Sequence, residues 1–167
     1  MKVNLRLFRK NVVLYKSLLR RFLTRLEKTP PKGLDKLAEL ASRSVWAEVD
    51  CTTCANCCKT MSPTFTVKDI KRISVHLGMQ PEAFRERYLY LEKKDGDWMN
   101  KKQPCQFLNL GNNMCTIYEV RPADCAGFPH LTKKKMVDYI HVHKQNVQHC
   151  PATYKFVEKM KALLEGA

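Results

Sequence analysis

The sequence has no long hydrophobic run. Its apolar stretches are interrupted after a few residues, whereas a bilayer-spanning helix needs roughly 20 apolar residues in succession, so no spanning helix is predicted. Nor is a secretory signal expected. The opening "MKVNLRLFRKNVVLYKSLLRRF" is broken repeatedly by Lys and Arg, with no continuous apolar core and no small-residue cleavage site. A chain that is not exported meets a reducing cytoplasm, where clustered thiols hold metal or do chemistry more often than they form structural disulfides. Cytoplasmic location is therefore the expectation. Acidic residues are scarce, 16 against 30 Lys and Arg, for a formal net charge of +14. The six glycines are scattered, which leaves no glycine-rich nucleotide-binding loop. No internal repeat of about 20 to 50 residues is visible.

What is present is the composition of a globular protein, 44% hydrophobic and 28% charged, in 167 residues that suit one domain. The positive charge is uneven. Residues 1–32 carry ten Lys and Arg against one acid, Glu27, a net of +9, while residues 33–167 carry twenty against fifteen. In the basic stretch Leu5, Phe8, Val12, Tyr15, Leu19, Phe22 and Leu26 recur at spacings of 3 and 4, which predicts a long helix with one apolar stripe. Arg6, Arg9, Lys10, Lys16, Arg20, Arg21 and Arg25 take its other faces. "TPPKG" at 29–33 ends the helix, because proline has no N–H to donate and turns the residue before it away from helix. A second helix is expected over 34–47, with Leu34, Leu37, Ala41 and Val45 on one side, and the short connection suggests an antiparallel helical hairpin. The basic face could meet acidic lipid headgroups or nucleic acid. A solvated face is favoured over membrane-surface contact, and nucleic acid is not an expected partner, since no aromatic residues interleave with the cations and no nucleic-acid-binding motif accompanies them.

Downstream, Thr66 with Asp69 three residues later predicts a capping box opening a helix through Ile70, Ile73, Val75 and Leu77, closed by Gly78. Pro81 at a first helical position predicts another helix through Phe84, Tyr88 and Leu91. "CQFLNL" and "MCTIY" around Gly-Asn-Asn read as a small hairpin. "MVDYIHVHKQN" at 136–146 alternates like a strand, and "PATYKFVEKMKALL" at 151–164 reads as a helix begun by Pro151. The expected fold is mainly α with minor β. It divides into a basic amphipathic helical hairpin over 1–48, packed on the core, and a cysteine-rich metal-binding domain over 49–167.

The chemistry is carried by eight cysteines, Cys51, Cys54, Cys57, Cys58, Cys105, Cys115, Cys125 and Cys150, none of them in the long helices. "CTTCANCC" at 51–58 holds four of them and uses the CxxC spacing twice, at 51/54 and 54/57. That turn lets two thiolates converge on one metal. Adjacent side chains of an extended segment point to opposite faces, so Cys57 and Cys58 are not expected as neighbours in one four-coordinate shell. One of them ligates a second metal, bridges two metals, or packs outside the shell. Eight thiols fit two four-thiolate sites, or one site with four residues left for catalysis, redox chemistry or packing. The distal cysteines sit in turn contexts, "QPCQF", "NNMCTIY", "RPADCAGFP" and "QHCPAT", which can aim backbone N–H groups at sulfur.

"CTTCANCC", "PCQFL", "CTIYEVRPADCAGFP" and the final Cys-Pro resemble the CxxCxxCC cysteine-cluster family of zinc- or iron-chelating and iron-sulfur proteins, over residues 51–151. The resemblance implies a bound metal centre with all eight cysteines as ligands, an iron-sulfur cluster of the 4Fe-4S kind ahead of zinc. It also implies a protein substrate or a redox partner, since the family includes flagellin lysine methylases. Whether the chain is an enzyme is left open. The alternative is zinc as a structural staple in a module without catalysis.

Other polar residues are weighed as accessories. Arg121 is read as offsetting thiolate charge and Pro122 as fixing the turn, ahead of an anionic-substrate role. Tyr118 is read as packing. His141 and His143 would share a face if "YIHVH" were extended, and a mixed Cys/His zinc site could use His149 or His130, but His130, His141, His143 and His149 are expected to be solvent-exposed rather than ligands, and His76 to lie on the surface or in the core. "KKK" at 133–135 is read as a solvated turn.

Overall fold

Asn4 caps the first helix, α1 (Leu5–Lys28), its side chain accepting a hydrogen bond from the Leu7 N–H at 3.0 Å. The computed structural model describes residues 3–132 and 135–166; Lys133 and Lys134 of the lysine run lie outside them. In chain order α1 is followed by α2 (Leu34–Glu48), α3 (Cys51–Cys54), α4 (Asn56–Thr60), β1 (Thr64–Phe65), α5 (Val67–His76) and α6 (Pro81–Tyr88). Then come β2 (Leu89–Leu91), β3 (Trp98–Asn100), β4 (Leu108–Asn109), β5 (Met114–Cys115), a 3-10 turn (Tyr118–Val120), α7 (Ala123–Gly127), α8 (Met136–Asn146) and α9 (Pro151–Glu165). The fold is mainly α with minor β, as the sequence predicts. The chain forms two compact units, one from the residues up to Asn56 together with those from Pro129 on, the other Cys57–Phe128. These borders differ from the expected 48/49 division.

In the first unit the predicted apolar stripe of α1 buries Phe8, Leu19, Phe22 and Leu26 and adds Leu23, while Tyr15 is exposed. The helix rests on α8 and α9, and α2 packs chiefly on α9, so α1 and α2 find their main partners in these later helices rather than in each other. Leu19, Leu23, Val45, Ile140, Phe156, Val157 and Met160 are the buried centre. Polar ties reinforce the packing. Glu48 receives Lys155 at 2.6 Å and Lys159 at 2.7 Å, Asp35 accepts from the Met136 N–H at 2.8 Å at the start of α8, and Arg25 pairs with Glu165.

The strand expected over 136–146 is a helix. Met136, Ile140, His143 and Val147 are all buried, at spacings of 4, 3 and 4, which is a helical seam. The alternation of the intervening residues lost to it, because β-branched and aromatic residues enter a helix when one face has a core to cover. His141 and His143 therefore do not share a face; His141 is exposed, whereas His143, expected at the surface, is buried because it falls on the helical seam.

The second unit starts from the capping box. The Thr66 hydroxyl oxygen accepts from the Asp69 N–H at 3.1 Å and the Asp69 carboxylate accepts from the Thr66 N–H at 3.0 Å. Ile70 and Ile73 go into the core, but Val75 falls off that stripe and is exposed. Gly78 closes the helix at φ 64, a left-handed position that a side chain would strain. The helix predicted through Leu91 stops at Tyr88. Leu89–Leu91 leaves as β2 and pairs antiparallel with β3, which also pairs with β1, giving the order β1-β3-β2. The predicted hairpin is present as β4 and β5, with Leu108 opposite Cys115. Phe65, Ile70, Ile73, Phe84, Leu89, Phe107 and Ile117 make one buried cluster, and Cys105 and Cys115 pack against it.

Candidate metal centre

The octapeptide is not extended. It is two short helical turns separated by Ala55, which sits in the left-handed region at φ 48 and caps α3. Asp50 begins the first turn, its carboxylate accepting from the Thr52 N–H at 2.9 Å and from the Thr52 hydroxyl at 2.6 Å. Cys51 and Cys54 are thus one turn apart on α3, with Cys51 exposed and Cys54 buried. The border between the compact units falls between Asn56 and Cys57, so the cysteines divide. Cys51, Cys54 and Cys150 belong to the first unit and Cys57, Cys58, Cys105, Cys115 and Cys125 to the second.

In the first unit Cys150 is the N-cap of α9, its sulfur accepting from the Thr153 N–H at 3.5 Å, and its own N–H is held by the Asn146 carbonyl at 2.8 Å. Burial pushes the Cys150 thiol up, and Cys54 contributes in the same direction, so the two sulfurs sense each other. The Asn56 side chain donates to the His149 carbonyl at 2.6 Å and holds the segment before Cys150. His149 is half-buried, and its imidazole is lowered by burial and by Lys16.

In the second unit Cys57 and Cys58 bring their sulfurs to 3.9 Å. They are neighbours, contrary to the expectation from an extended segment, because a helical turn sets adjacent side chains about 100° rather than 180° apart. The hydrogen bond with Cys57 lowers the Cys58 thiol to about 7, helped by Lys59. The Cys58 carbonyl accepts from the Cys105 N–H at 2.8 Å, pinning the two segments together. Burial raises Cys105, Cys115 and Cys125. Cys58 adds to the rise in all three, Cys105 adds to Cys115 and Cys125, and Cys115 adds to Cys125. These four thiols lie within one another's electrostatic reach.

Hydrogen bonds converge on the same sulfurs. The Phe107 N–H reaches Cys105 and the Ile117 N–H reaches Cys115, while the Leu108 N–H donates to the Cys105 carbonyl at 2.9 Å. Asn100, buried, donates its Nδ2 to the Cys105 sulfur at 3.1 Å, while its Oδ1 accepts from Gln106 at 2.9 Å and its backbone N–H donates to Ser62 at 3.0 Å. Asp69 takes a second task beyond its cap, accepting from the Ala123 N–H at 3.1 Å and from Arg72 at 2.7 Å, which fixes the start of α7 and so Cys125. Arg121 lies over the Tyr118 ring at 3.9 Å and donates to the Tyr118 carbonyl at 2.6 Å. Its charge partly opposes the rise at Cys115. Neither Asn100 nor the Ala123 contact of Asp69 has a sequence signal. As the side chains stand, no three His, Cys, Asp or Glu donors among the described residues close around one point. The donor set itself, thiols with N–H groups aimed at their sulfurs, fits a thiophilic metal.

No solved structure matches the chain. Residues 50–151 match the family model CxxCxxCC, described as "Putative zinc- or iron-chelating domain", a span that contains all eight cysteines, the whole Cys57–Phe128 unit and no part of α1 or α2. The chain therefore belongs to the CxxCxxCC family, whose description names chelation of zinc or iron.

Proposed function

We propose that Cys58, Cys105, Cys115 and Cys125 hold an iron-sulfur centre, a 4Fe-4S cluster, with Cys57 alongside as an exchangeable ligand, and that Cys51, Cys54 and Cys150 form a second thiolate set. The observation that supports the four-thiol set is the mutual electrostatic effect within it. Each of Cys105, Cys115 and Cys125 is harder to ionise because of its neighbouring cysteines as well as its burial. Buried thiols crowded in this way ionise together only when a cation takes up the charge, and metal uptake then releases protons. The N–H groups directed at Cys105 and Cys115 favour iron-sulfur, since such donors tune a cluster's potential. In this reading the chain exchanges electrons with a protein partner, and an association with methyl transfer to a protein lysine is the further activity that the resemblance carries. Zinc on the same thiols, as a staple without catalysis, is the second reading.

Metal analysis of protein purified without oxygen separates the two. Iron with acid-labile sulfide and a brown colour is the expected outcome; a colourless protein with stoichiometric zinc and no sulfide would sink the iron-sulfur reading. Cys125→Ala is expected to lose the metal of the four-thiol set, and Cys54→Ala to lower the total further when combined with it. Full metal content in Cys54→Ala would remove Cys51, Cys54 and Cys150 from the ligand assignment.

A further inference from the structure

The outer face of α1 is not merely charged. Its seam is buried through Phe8, Leu19, Phe22, Leu23 and Leu26, yet Leu7, Leu14 and Leu18 are 52%, 59% and 42% exposed, and Val13 is 84% exposed. At 3.6 residues per turn the three leucines fall within roughly 40° of one another, so they form a ridge along one margin of the outward face, and Val13 stands on the other margin. Between the two margins project Arg6, Lys10 and Arg21, with Arg9 and Arg20 farther round, all exposed. None of these five cations is engaged in a salt bridge among the described residues, the ion pairs of this helix being those of Arg25 with Glu165 and Glu27 with Lys144. No acid interrupts the helix before Glu27. Water gains nothing from a leucine ridge, and a phosphodiester chain would use the cations and leave the leucines wet. An anionic bilayer uses both, taking apolar side chains into the headgroup boundary and phosphates onto Lys and Arg. No helix is long and apolar enough to cross a membrane, so the contact fits a helix lying along the surface.

We propose that α1 docks this protein on anionic membrane surfaces, with Leu7, Leu14 and Leu18 entering the headgroup region and Arg6, Lys10 and Arg21 meeting lipid phosphates. The proposal is independent of the metal assignment, since α1 lies outside the matched family region. The test is flotation of the 167-residue protein, as purified, on vesicles of phosphatidylglycerol mixed with phosphatidylcholine and on vesicles of phosphatidylcholine alone. Retention on the first and not the second is expected, weakening as salt is raised. Leu7→Gln, Leu14→Gln and Leu18→Gln together should weaken retention about tenfold or more, with helix content and metal content unchanged. Arg6→Gln, Lys10→Gln and Arg21→Gln together should weaken it about 100-fold. Should the leucine variant lose helix content, the cation variant carries the test alone. Equal retention on both kinds of vesicle overturns the proposal. So does cation-variant retention equal to wild type, and so does a folded leucine variant that floats as well as wild type while single-stranded RNA competes it away, which would make the face a general polyanion site.

Discussion

His143 is fully buried in α8, its ring 5.3 Å from Phe156, and neither ring nitrogen has a hydrogen-bond partner among the described residues. Burial, with smaller contributions from His130 and His141, holds its imidazole at about 4 against an ordinary 6.5. Because the folded value lies below the unfolded one, the unfolded chain binds the extra proton between them. The contribution to stability is complete above about pH 6.5 and is lost as pH falls towards 4, by about 3 kcal/mol at the lower end. His143→Leu should flatten this dependence, narrowing the gap between thermal melts at pH 7.5 and pH 5. A variant whose melting point drops as far as wild type's over that interval would assign the acid sensitivity elsewhere. The sequence marked the cysteines as candidates because residue type and spacing are visible without a fold. It could not announce His143's burial, which depends on α9 supplying Phe156, nor Asn100's hydrogen bond to Cys105, which depends on β3 delivering a side chain to a loop five residues on.

Elements with local signals were legible. α1, α2, α5, α6 and α9 are marked by apolar spacing, capping residues and prolines, and the β4–β5 hairpin by its turn. α8 was misread because its alternation and its helical seam occupy the same eleven residues, and only the neighbouring helices decide between them. The two turns of the octapeptide were invisible because four- and five-residue helices are too short to show a period, and the left-handed residue that separates them is Ala55 rather than glycine or asparagine. The element that presents Cys105 is held by an aromatic cluster. Phe84 of α6 stacks on Phe107 with centroids 6.2 Å apart, and Tyr88 meets both rings, at 5.3 Å and 5.1 Å. Phe84→Ala is expected to cost about 3–5 kcal/mol and, by loosening the Phe107 segment, to lower metal content; urea melts with metal analysis check both. A loss below about 1 kcal/mol would mean that the segment is positioned by its backbone bond to Cys58 instead.

At the scale of the whole molecule the two compact units rest on different forces. The unit that includes α1, α2, α8 and α9 covers long helical seams with leucine, phenylalanine and valine, so apolar packing carries most of its core. The Cys57–Phe128 unit has strands of only two and three residues and short helices, and five of the eight cysteines lie within it, so a larger share of its stability should come from thiolate-metal bonds. Each unit holds one of the two tryptophans, Trp46 in α2 and Trp98 in β3, so each can be followed alone. Trp46→Phe leaves fluorescence that reports on the Cys57–Phe128 unit, and Trp98→Phe leaves a report on the other. Removal of metal by a chelator should lower the Trp98 transition by more than the Trp46 transition, giving two separated steps where two-state behaviour no longer holds. Coincident transitions that shift together would show that the metal supports both units equally, and would move the weight of the folding argument from the four-thiol set to all eight cysteines acting as one.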